Sequence, residues 1–153
     1  MSTPAHSYNG ARSMILLHEE HLREFVSSWR EAKAAEISLP APADPDYKSM
    51  ETLLSHLLGC ARGYMVWMCK VLELPDPGID PAPSPEAVEA EAETYLEHVL
   101  EGWRMPLAGV EEERFHRPEY PSGWKVLYCV DAMMEHAVMH PIRHTYQLRR
   151  LME

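Results

Sequence analysis

Three histidines, His136, His140 and His144, stand four residues apart in the run Glu135-His-Ala-Val-Met-His-Pro-Ile-Arg-His-Thr-Tyr-Gln-Leu148. On an α-helix, residues four apart lie about 40° apart around the axis, so the imidazoles form a line up one side. Val126, Val130, Met133, Ala137, His140, His144, Leu148 and Leu151 recur at steps of three or four, the period of a helix face turned to a core. His140 and His144 lie inside that stripe, and His136 lies on its flank. A buried polar ring without a partner is costly. One partner is a metal ion, since imidazole nitrogen suits zinc, nickel, iron and copper. The other is a set of hydrogen bonds to side chains or water.

A third imidazole favours the metal. His56 is the one histidine of another helical segment, at the border of its apolar face and close in angle to Cys60 and Trp67. With His140 and His144 it makes a three-histidine set, and a catalytic zinc commonly keeps three protein ligands plus water. An open position lets the ion lower the pKa of bound water or hold a thiolate or carbonyl. The remaining candidates read as structural. His18 faces the core of the first helix, and His6, His21, His98 and His116 are expected at the surface. Tyr64, Trp67 and Trp103 read as packing. Cys60, one turn from His56, carries no mark of a nucleophile.

Four helical segments must position these groups. The first spans about 13–36, with Ile15, Leu22, Phe25, Val26 and Trp29 on its buried face. A connection with Pro40, Pro42 and Pro45 follows, which cannot continue a helix. The second spans about 47–74, with Asp46 as its expected N-cap. After Pro75, Pro77, Gly78, Pro81 and Pro83, Ser84 is placed to cap a third helix with Pro85 at its first position, ending near Pro106. Residues 107–121 read as irregular, and Ser122 as the start of the fourth helix. No convincing strand pattern appears. Four amphipathic helices imply an all-α four-helix bundle with long proline-rich connections, residues 1–153 forming a single domain.

Composition bounds the function. Apolar residues make up 46% of 153, enough for one folded core. The net charge of −10 disfavours nucleic acid and anionic membrane surfaces. No apolar run approaches the ~20 residues of a membrane span, and residues 1–13 lack a signal-peptide core. Cys60, Cys69 and Cys129 are odd in number, widely spaced and without a Cys-x-x-Cys pair, so neither a disulfide frame nor a thiolate metal site is expected. A cytoplasmic protein follows from these features. The one Glu-x-x-His, Glu113 to His116, falls in the irregular stretch, which argues against a ferritin-like di-iron site. His-Glu-x-x-His, a phosphate-binding glycine loop and Gly-x-Ser-x-Gly are all missing.

The line His136-x3-His140-x3-His144-Thr-Tyr-Gln147-Leu148 resembles the His-x3-His-x3-His-Arg-Gly-Gln-apolar signature of the DinB-like superfamily. Ser55-His56-Leu57-Leu58-Gly59 is similar to the histidine-bearing segment of that family's second helix. The four segments and the chain length match the family's metal-binding four-helix bundle, so the resemblance covers nearly the whole chain. It implies metal ligands His56, His140 and His144, with His136 beside the site as pocket wall, and a divalent ion, zinc or nickel. Characterised relatives are S-transferases using bacillithiol, or a maleylpyruvate isomerase using mycothiol. The resemblance therefore implies a metal-dependent thiol S-transferase or related hydrolase, with a small-molecule substrate and a low-molecular-weight thiol cofactor. Such a mechanism is sound, because coordination by a dication deprotonates a thiol near neutral pH. Relatives often pair, so a homodimer is compatible with this reading and with a non-enzymatic one, although no apolar stripe is clearly left over for an interface; nucleic acid and membrane partners are not expected. Two features depart from the pattern. Thr145-Tyr146 stand where Arg-Gly is usual, and Pro141 removes the hydrogen bond to the Ala137 carbonyl and should kink or bulge the helix. These departures support the alternative, a non-enzymatic helical bundle, metal-bound or metal-free, acting through dimerisation or a protein partner.

Overall fold

Apolar residues at helical spacing generate four long helices in the computed structural model, which describes residues 2–40 and 43–153. These are α1 (Asn9–Ala34), α2 (Met50–Val71), α3 (Val88–Arg104) and α5 (Val130–Met152); a single-turn helix α4 (Glu113–His116) and a 3-10 turn (Pro45–Tyr47) complete the helical content. The described chain is all-α apart from a short antiparallel hairpin, β1 (Tyr120–Pro121) with β2 (Leu127–Tyr128), in which Tyr120 faces Tyr128. Pro42 of the first connection lies outside the described residues. Among the described residues no helix is long and apolar enough to cross a membrane.

The helices share one continuous apolar core. α1 packs chiefly on α5, and α2 packs on both α3 and α5. Two buried indoles bind the assembly by donating to backbone carbonyls. Trp29 Nε1 reaches Met50 O at 2.6 Å, joining α1 to the start of α2, and Trp103 Nε1 reaches Ala61 O at 2.9 Å, joining α3 to α2. His18 is buried as the sequence implies, its ring stacked on Trp103 with centroids 3.7 Å apart. At the α1–α3 seam the largely buried Arg104 donates to Glu19 at 3.2 Å and to Glu101 at 2.5 Å, and Arg23 bridges Glu19 and Glu97.

Several boundaries differ from the sequence expectation for identifiable reasons. α1 begins at Asn9 rather than Ser13. The Tyr8 carbonyl accepts from Ala11 and Arg12, and the Tyr8 ring lies so close over Gly10 that a Cβ there would sit 2.3 Å from it. Arg12 Nε donates to Pro4 O at 3.1 Å, which docks the N-terminal segment and buries His6, expected at the surface. The cap of α2 is Ser49, whose hydroxyl accepts from Thr52 N at 3.0 Å, not Asp46. Ser84 accepts through its carbonyl from Ala87 and Val88, so α3 proper starts one turn later, at Val88. The last helix starts at Val130 with Cys129 as N-cap, not at Ser122. Ser122 instead anchors the hairpin turn, its hydroxyl accepting from Val126 N at 3.0 Å, and Val126 is consequently 48% exposed rather than part of the core stripe. Leu151, at the last turn of α5, is likewise 38% exposed. α5 runs unbroken through Pro141, so the missing N–H is absorbed within the helix.

Ser49 supplies a first test. Ser49→Ala removes the side-chain acceptor for an otherwise orphaned amide at the α2 N-terminus. A loss of about 1 kcal/mol is expected, read as a lower urea midpoint at unchanged slope.

Candidate metal centre

α2 and α5 present facing rows of chemistry-bearing side chains. His56, Cys60 and Tyr64 recur every four residues on α2; His136, His140 and His144 do so on α5. The His56 and His140 rings have centroids 5.5 Å apart, and His140 and His144 are 5.0 Å apart. Among the described residues, one group of three brings its ligand atoms all within 4.8 Å of one another, and it comprises His56, Cys60 and His140. That group can hold a metal ion. Two of the three expected ligands therefore meet as the sequence implies. His144 sits beside them but outside the group, and a cysteine that the sequence reading set aside as a ligand takes its place.

The imidazoles are oriented by their Nδ1 atoms. His56 Nδ1 lies 3.3 Å from the Asp46 carboxylate, His140 Nδ1 is 3.0 Å from the Tyr64 hydroxyl, and His144 Nδ1 is 2.8 Å from Gln147 Oε1. Each of these contacts leaves Nε2 available. A second nitrogen fixed by a carboxylate, hydroxyl or amide is the usual support of a metal-binding histidine. His144 Nε2 is buried and has no hydrogen-bond partner among the described protein atoms. His56 Nε2 lies 3.6 Å from Cys60 Sγ.

Burial sets the protonation states. It pushes His140 down from 6.5 to about 2, helped by the nearby His144, His56 and Arg143, and it lowers His144 and His136 as well. Burial, reinforced by the Asp46 charge, pushes the Cys60 thiol up to about 11. At neutral pH these imidazoles are thus neutral, the form a metal requires, whereas the thiol must lose its proton to bind one.

The group opens onto a cavity of about 480 Å³ between α2 and the hairpin, lined by His56, Gly59, Cys60, Gly63, Tyr64, Trp67, Gly123, Trp124 and Met133. Trp67 Nε1 donates to Pro121 O at 3.0 Å and ties the hairpin to α2. His136, the expected pocket residue, is half-buried among aromatic rings, 5.2 Å from Trp124, 5.5 Å from Tyr64 and 5.7 Å from Tyr128. A separate apolar recess of about 530 Å³ flanks the end of α5, and Gln147 on its wall is the residue that holds His144.

Sequence reasoning missed Cys60, Asp46, Tyr64 and Gln147 as participants. The i, i+4 spacing of His56, Cys60 and Tyr64 was a usable signal for two of them, and His144 and Gln147 are three apart on one helix. The 3-10 turn that carries Asp46 is locally encoded, with Asp44 as its cap accepting from Asp46 N at 2.9 Å and Pro45 at its first position, but that Asp46 faces His56 is decided by the fold.

Comparison with known proteins returns no matching family model, no matching curated protein and no matching solved structure.

Proposed function

We propose that the chain is a DinB-like four-helix bundle that binds one divalent metal ion, zinc or nickel, and works as a metal-dependent enzyme of the thiol S-transferase or related hydrolase type. The observation that carries this reading is the convergence of His56 and His140 from two helices, each with Nδ1 held by a polar partner. These two residues are common to the three-histidine set implied by the sequence and to the group found in the structure.

A bound ion would supply a Lewis acid that lowers the pKa of a water or thiol placed on it. The chain's own contribution is positional. Asp46 and Tyr64 fix the two rings, burial keeps His140 neutral, and the cavity beside them has room for a small uncharged or thiol-bearing molecule.

The test is elemental analysis of protein purified without chelator or histidine tag. About one ion per chain is expected in the wild type, with loss in His140→Ala at unchanged helical circular dichroism. A wild type that stays metal-free after dialysis against zinc and nickel would overturn the reading.

A further inference from the structure

We propose that Cys60, rather than His144, is the third protein ligand, so that the ion is held by two imidazoles and one thiolate. This rests on the metal-binding reading above and specifies its donor set. Around a tetrahedral ion with metal–nitrogen bonds of about 2.0–2.1 Å and a metal–sulfur bond of about 2.3 Å, ligand atoms lie about 3.3–3.6 Å apart. Cys60 Sγ stands 3.6 Å from His56 Nε2 and 3.8 Å from His56 Nδ1, and one ligand atom from each of His56, Cys60 and His140 lies within 4.8 Å of the others, so the donors are within reach of one ion once the His56 ring turns its Nε2 toward it.

The helical spacing makes this arrangement rigid. Cys60 follows His56 by one turn, so both donors leave one face of α2, and α5 needs to contribute only His140. Closing the set takes side-chain rotation rather than movement of a helix. His144 is the rival ligand, because its Nε2 is buried and unpartnered. Its Nδ1 is held by Gln147 at 2.8 Å, as a ligand's would be, and what separates it from the group is distance: the ligand atoms that lie within 4.8 Å of one another belong to His56, Cys60 and His140.

The chemistry differs between the two sets. Binding through Cys60 exchanges the thiol proton for a sulfur–metal bond, releases one proton and leaves the ion with one fewer net positive charge. A thiolate is a soft donor and favours zinc over hard cations such as magnesium. Cys60 also lines the cavity, so the metal-bound sulfur would face whatever occupies it.

Cobalt(II) reports the difference directly, because a thiolate ligand adds a near-ultraviolet sulfur-to-metal charge-transfer band that imidazole does not. The full chain, stripped with chelator and titrated with cobalt, should show this band at one equivalent. Cys60→Ser should lose it, and His144→Ala should keep it. Cobalt bound without the band, or a band surviving in Cys60→Ser, would overturn the assignment while leaving the metal-binding reading intact. Failure of the wild type to bind cobalt at all would instead sink both. The wild-type spectrum decides the matter even if a variant folds poorly.

Discussion

Metal-stripped protein is expected to lose about 5 kcal/mol of folding stability between about pH 7 and about pH 4.5. Two buried histidines cause it. Burial, with the His21 charge adding to it, pushes His18 down from 6.5 to about 3. His140 falls to about 2, for the reasons of burial and neighbouring positive groups already given. The unfolded chain protonates both near 6.5, whereas the folded chain does not until far lower pH. The unfolded state therefore binds more protons in that window, and stability falls as pH falls. Stability is fully present above about 6.5 and declines by about 1.4 kcal/mol per pH unit for each such proton. Over the stated interval that amounts to about 2–3 kcal/mol per histidine. His136 and His144 shift in the same direction and steepen the fall. The carboxylates Glu24, Glu51 and Glu97 have values lowered from 4.5, so they act below this window and leave the histidine signal separable. Urea unfolding at a series of pH values measures the slope. His18→Leu should reduce it by about 1.4 kcal/mol per pH unit; an unchanged slope in that variant would remove His18 from the account.

Trp103→Ala is expected to destabilise the protein by about 3–5 kcal/mol, a large fraction of the stability of a domain this size. The indole is 1% exposed and spans three helices, rooted in α3, donating to Ala61 O of α2 and stacking on His18 of α1. Its loss leaves a cavity and removes the second of the two hydrogen bonds on the Ala61 carbonyl, which keeps its intrahelical donor. Trp103→Phe separates the two contributions, because it retains most of the ring and loses the donor; about 1–3 kcal/mol is expected for it. The truncation also opens His18 toward solvent, so the acid slope above should flatten in Trp103→Ala. Equal losses in the two variants would mean that the hydrogen bond, not the packing, dominates at this position.

How far the sequence was legible varies from element to element. Helix-period apolar residues located α1, α2, α3 and α5, because that spacing is a property of each segment alone. Helix ends were less legible, since capping competes with tertiary contacts. Asp46 and Ser122 are both good cap residues by type, yet one faces His56 and the other closes a hairpin turn. The hairpin itself pairs two residues on each side, too few for any alternating pattern to register. It matters because it brings Trp124 to His136 and walls the cavity.

By itself the sequence determined the helical class, the burial of His18, His140 and His144, and the line of imidazoles along α5. All of these follow from local periodicity. Only the tertiary structure decided which donors meet. The partner of His140 depends on how α2 and α5 pack, and that packing brings His140 within 4.8 Å of the His56–Cys60 pair of α2 and leaves His144 outside the group. Spacing within α2 pairs His56 with Cys60, but the distance from that pair to His140 lies between helices, and no spacing within a single helix encodes it.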